Sequence, residues 1–132
     1  MTIAEAAKFN PSTITDEGVL ATLKAVAGER PNYVYEAPEY QKDEETQCFY
    51  VHTDETGEPV SAGCLVGAVL HRMGVPLSML ALHETKHASA VTRSLGIGLN
   101  RNTEIALNGV QDDQDSGATW GEALIRATGE TI

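Results

Sequence analysis

Ser61-Ala62-Gly63-Cys64-Leu65-Val66-Gly67-Ala68-Val69-Leu70-His71-Arg72-Met73 is the stretch that decides the fold. Val66, Val69, Leu70 and Met73 fall at i, i+3, i+4 and i+7, the spacing that stacks side chains on one face of an α-helix. Leu65 and Ala68 widen that stripe beyond what a surface helix needs. The pattern predicts a central helix, Gly63 to Met73, buried over much of its circumference and capped by Ser61. Gly74 ends it, and Pro76 suits the first turn of a following helix.

Outward from this helix, the periodicity predicts further helices. Thr15 reads as an N-cap, with Asp16 and Glu17 in a first turn where the helix dipole favours acids. Val19, Leu20, Leu23 and Val26 follow, Gly28 supplies a stop and Pro31 prevents resumption. Leu77 to about Ser94 carries a helical pattern with a break near Thr85. Leu95-Gly96-Ile97-Gly98-Leu99 reads as a loop with apolar anchors, and Asn102 as the cap of a helix running from Thr103 to about Gln114. Thr119-Trp120-Gly121-Glu122 is a capping box opening a last helix, with Ala123, Leu124 and Ala127 on the face of Trp120.

Two short runs have strand character, Tyr33-Val34-Tyr35 and Cys48-Phe49-Tyr50-Val51, and are expected to pair. Between them Glu36 to Gln47 reads as a solvated loop. Asp54-Glu55-Thr56-Gly57-Glu58-Pro59 forms a second turn leading out of the strand. The fold class expected is therefore α+β. It is a predominantly helical single domain over residues 15–132, of about five helices with a small β-hairpin. Residues 1–14 are expected as a flexible N-terminal arm.

The composition narrows the function classes. The chain has 132 residues, a size that buries one core. No apolar run approaches the roughly 18 residues that cross a bilayer, and Met1 to Pro11 lacks the pattern of an export signal. A cytoplasmic protein with no membrane role is expected. In that setting Cys48 and Cys64 are expected as buried thiols rather than a disulfide.

The net charge of −10 is unevenly distributed. Residues 1–60 hold twelve acids and four bases, residues 61–101 one acid and four bases, and residues 102–132 six acids and one base. Two acidic ends flank a weakly basic middle. Direct nucleic-acid binding is disfavoured, because neutralising phosphates requires a basic surface. Solubility alone accounts for excess acid in many proteins. The sharper reading is an acidic surface that docks on a basic protein or imitates nucleic acid. The candidate surface residues are Asp43, Glu44, Glu45, Asp112, Asp113 and Asp115. Asp112, Asp113 and Asp115 end a helix with acids, against the dipole.

His83-Glu84-Thr85-Lys86-His87 matches H-E-x-x-H. On a helix, His83 and His87 would share a face and hold zinc, Glu84 would act as general base on the bound water, and Glu104 would supply a third ligand. Against that, Lys86 places a second cation beside the metal, and a five-residue pattern with three fixed positions arises by chance. A zinc hydrolase is thus the alternative. The principal expectation is a protein without cofactor or catalytic residues. Cys48, His52, Cys64 and His71 have ligand chemistry but not the spacing of standard zinc sites. No phosphate-binding glycine loop or nucleophile elbow is present. Homodimerisation is an open expectation, since Leu77, Met79, Leu80 and Leu82 exceed what one helix face buries.

Pro31-Asn32-Tyr33-Val34-Tyr35, Cys48-Phe49-Tyr50-Val51, Cys64-Leu65-Val66-Gly67, Leu70-His71-Arg72-Met73-Gly74-Val75, and Gln111, Gln114, Asp115, Gly117 and Trp120 together resemble a family of small uncharacterised proteins of actinobacterial phages and prophages. The resemblance spans roughly residues 19 to 127. It implies a small cytosolic accessory protein of a phage or prophage, and supplies no reaction. The function expected, from the charge segregation and the absence of convincing catalytic residues, is to bind and modulate a host protein through an acidic surface. The H-E-x-x-H string lies outside the resembling residues.

Overall fold

The computed structural model describes residues 9–41, 49–84 and 86–129. Within them lie six α-helices and one antiparallel hairpin, in the order α1 (Asp16–Glu29), β1 (Val51–Thr53), β2 (Pro59–Ala62), α2 (Leu65–Arg72), α3 (Leu77–Ala81), α4 (Ala88–Ser94), α5 (Arg101–Asp115) and α6 (Trp120–Thr128). The domain is helical α+β, as its periodicity indicates.

The helix α2 is central. Leu65, Val66, Gly67, Val69 and Leu70 are all buried, and only His71 and Arg72 are exposed. α1, α3, α5 and β2 pack around it. Two glycines permit the closest approach in the fold. A Cβ on Gly67 would lie 2.1 Å from the Tyr50 carbonyl oxygen, and one on Gly63 would lie 2.2 Å from that of Phe49. The chain at Phe49–Tyr50 therefore crosses the start of α2 at backbone contact. The hairpin ladder continues there, with Gly63 N donating to Tyr50 O at 2.9 Å and Cys64 N to Phe49 O at 2.8 Å.

The hairpin differs from the expected one. β1 pairs with β2, with Val51 opposite Ala62 and His52 opposite Ser61, and the register shifts between His52 and Thr53. The Asp54–Pro59 turn is thus the hairpin turn itself. Asp54 Oδ1 accepts from Thr56 N at 2.9 Å and Glu58 N at 3.0 Å, while Gly57 takes the left-handed conformation at φ 91°. Ser61 lies in β2 and is no cap. Tyr33–Tyr35 does not pair with Phe49–Val51. Val34 makes one antiparallel bridge to Thr119, and the carbonyls of Tyr33 and Pro31 accept from Trp120 N and Gly121 N, each at 2.9 Å. The first amides of α6 have no intrahelical acceptor, and this extended segment supplies two.

Other boundaries shift by local causes. α1 runs through Gly28 and stops one residue short of Arg30, ahead of Pro31. Asn100, not Asn102, caps α5, its Oδ1 accepting from Thr103 N at 2.8 Å. The Thr119–Glu122 capping box is present in full. Residues 1–8 of the expected arm lie outside the described residues. Asn10 caps a 3-10 turn at Pro11–Thr13 that buries no residue, and Ile14 after it is buried in the core. Cys64 is a buried free thiol, and Cys48 lies outside the described residues.

Candidate functional site

The H-E-x-x-H string does not form one helix. α3 ends at Ala81, and residues 82–84 turn away. His87 is the N-cap of α4, in extended conformation at φ −61° and ψ 150°. The expected one-turn stacking of His83 on His87 is therefore absent, because the two residues belong to different local structures. Thr85, between them, lies outside the described residues.

Three side chains of the string, those of His83, Glu84 and Lys86, make hydrogen bonds. Lys86 Nζ donates to His83 Nδ1 at 3.0 Å. Burial and then the Lys86 charge hold the His83 imidazole below its ordinary pKa. Glu84 turns inward, where its two oxygens accept from Tyr50 N at 2.8 Å and Val51 N at 3.2 Å. Burial pushes this carboxyl up to about 7, against the pull of the two amides. A carboxylate chelating two backbone amides is a tie between segments, and both its oxygens are engaged.

Glu104, the expected third ligand, is clamped by Arg93, which donates through Nε and Nη2 at 2.7 Å each. That guanidinium holds the Glu104 carboxyl below its usual range. Among the described residues, no three His, Cys, Asp or Glu side chains are grouped to hold a metal ion. His71 Nδ1 lies 3.0 Å from Val75 O, and His52 Nε2 lies 2.9 Å from the Tyr35 hydroxyl.

Glu84 belongs to a larger polar assembly that sequence reasoning missed. The Tyr50 hydroxyl donates to Lys86 O and accepts from Gln111 Nε2 at 2.7 Å. Gln111 Oε1 accepts from Ala88 N at 2.8 Å, and Asn108 Oδ1 accepts from Ser89 N at 3.0 Å. Three residues further along α5, Gln114 Oε1 accepts from Leu65 N at 2.9 Å and from Trp120 Nε1 at 3.1 Å. The N-caps of α2 and α4, Cys64 and His87, make no side-chain cap bond of their own. α5 thus caps both helices from outside, through side chains one turn apart. The signal for this was the interleaving of Gln111 and Gln114 with aspartates at i, i+3.

That interleaving also sorts the candidate surface. Gln111 and Gln114 are 8% and 5% exposed, whereas Asp112 and Asp115 point to solvent. Burial, and then the charge of Asp112, push the Asp115 carboxyl up, while His87 pulls it down. Asp113 faces Arg126 at 3.4 Å. Among the described residues, neither Asp112 nor Asp115 forms an ion pair. Asp43, Glu44 and Glu45 lie outside the described residues.

These features define a helical α+β domain whose inward polar groups serve the fold. Every fully buried side-chain nitrogen and oxygen among the described residues has a hydrogen-bond partner. No described helix is long and apolar enough to cross a membrane. No family model, curated protein or solved structure matches the chain.

Proposed function

We propose that this chain is a non-enzymatic accessory protein of an actinobacterial phage or prophage, which binds a host protein through its acidic surface. The observation that carries the reading is the outer face of α5. Asp112 and Asp115 stand at a helix C-terminus, where the dipole disfavours acids, and among the described residues no ion pair offsets them. A local choice that opposes stability, offset only by the pull of His87 on Asp115, marks a surface kept for something outside the fold. The inward residues support the same reading. Glu84, the one acid of the catalytic string, is spent on two amides, and Glu104 on an arginine. Such a module needs no cofactor, and its partner is a protein with a basic surface in the host cytoplasm.

The test compares the native chain with Asp112→Lys/Asp115→Lys on beads in actinobacterial lysate. Both substitutions are at exposed positions, and circular dichroism checks that the fold survives. The expected result is a protein retained by the native chain at low salt and released as salt screens the contact at about 0.5 M. The charge-reversed chain should not retain it. Retention of nothing above background, or equal retention by both chains, would refute the reading.

A further inference from the structure

We infer that Leu77 to Glu84 is a strap, closed over the base of the hairpin by Glu84, that opens as one unit while the rest of the domain stays folded. α3 has only five residues, far below the length at which a helix holds itself in water. It lies against β1, β2 and α2. Among the described residues, its backbone hydrogen bonds are all local. Met79 N and Leu80 N donate to Pro76 O, Leu82 N to Met79 O, and His83 N to Leu80 O.

Apolar anchoring is equally thin. Leu80 alone is fully buried; Leu77, Met79 and Ala81 are half-buried, and Leu82 is 70% exposed. α2, by contrast, buries five residues in eight. What closes the strap is polar and sits at its end, where Glu84 accepts from the amides of Tyr50 and Val51. At the other end Val75 is fully buried and its N donates to Leu70 O at 3.1 Å, so the chain is fixed to α2 up to Val75 and the strap opens beyond it. Release of Glu84 leaves buried Leu80 and the partly buried Leu77, Met79 and Ala81 as the hold. Opening then uncovers Leu80 and the two amides together.

Native-state hydrogen exchange, read by NMR at several low urea concentrations, tests this. The amides of Leu80, Leu82, His83, Tyr50 and Val51 should share one opening equilibrium, nearly insensitive to urea and more frequent than that of Val69 and Leu70. In Glu84→Ala all five should exchange faster by a common factor of about tenfold or more, from the loss of two hydrogen bonds. Exchange of the strap amides only with Val69 and Leu70, through global unfolding, overturns the proposal. So does acceleration confined to Tyr50 and Val51 in the variant, which would make Glu84 a local tie and no clasp. Should the variant fail to fold, the native chain's exchange pattern decides alone.

Discussion

Replacing Glu84 by glutamine should change how the stability of this protein responds to pH. The carboxyl is pushed from an ordinary 4.5 to about 7 in the folded chain. Each pKa unit corresponds to about 1.4 kcal/mol, so ionising Glu84 costs about 3 kcal/mol more in the folded state than in the unfolded one. Between those two values the folded chain keeps a proton that the unfolded chain has released. Raising the pH through that window therefore draws the equilibrium toward unfolding, and above about pH 7 the loss is complete. Asp16, Glu29, Asp54, Glu104 and Glu122 act with the opposite sign. Hydrogen bonds hold their carboxyls low, so their contributions are lost on acidification. The native chain's own pH curve mixes both kinds, and the difference between the two chains isolates Glu84.

Glutamine keeps one oxygen for one amide and turns an amino group toward the other, losing about 1–2 kcal/mol at every pH. The variant should therefore be the weaker protein near pH 4 by about 1–2 kcal/mol, and the stronger near pH 8 by a similar amount. Urea melts followed by far-ultraviolet circular dichroism at half-unit pH steps give both curves. Curves that stay parallel across the window would show that burial does not shift the carboxyl, and a variant that loses ground as pH rises would show the carboxylate to be stabilising when charged. The burial argument would then be wrong.

Glycine substitutions probe the packing. Gly67→Ala should destabilise by about 2 kcal/mol or more, its Cβ meeting a backbone oxygen that cannot step aside. Gly109→Ala in α5, with nothing within 4 Å, should instead raise the melting temperature by up to about 1 kcal/mol of added stability. Gln114→Ala should cost about 2–4 kcal/mol in urea melts, because it strands both the Leu65 amide and the Trp120 indole N–H. Arg72→Ala should cost under about 1 kcal/mol by the same measurement, its bidentate pair with Glu29 being about half exposed on both sides.

The helices were legible where their stop and start signals are local. Thr15 and Thr119 cap the helices they were read to cap, because an N-cap bond reaches only two or three residues forward. The breadth of the apolar stripe on α2 likewise foretold its central place. β2 was not legible. Pro59-Val60-Ser61-Ala62 contains a proline, shifts register opposite His52–Thr53 and lies largely in solvent, so it lacks the alternation of a half-buried strand. Tyr33–Tyr35 misled for the opposite reason. Its composition suits a strand, yet the donors that needed its carbonyls were those at the start of α6.

The H-E-x-x-H string and the Gln111–Asp115 run show the same limit at the candidate site. Both were flagged by their chemistry, and in both the residue's role is set by partners far away in sequence. Glu84 bonds amides more than thirty positions earlier, Gln111 bonds Tyr50 across 61, and Gln114 bonds Leu65 across 49. A periodicity of 3.6 states which residues share a face, but not whether a polar residue on the inward face holds a ligand or another helix's first turn. The free helix ends decide between those. α2 and α4 begin with residues that do not cap themselves, so their first amides require acceptors from elsewhere. Cys64 and His87 are poor N-caps by their chemistry, and that deficiency is readable from sequence alone. A helix that starts without Ser, Thr, Asp or Asn is itself a reason to look for a distant Asn or Gln turned inward. Once those inward roles are assigned, the acids left over on α5 are the ones the fold does not use.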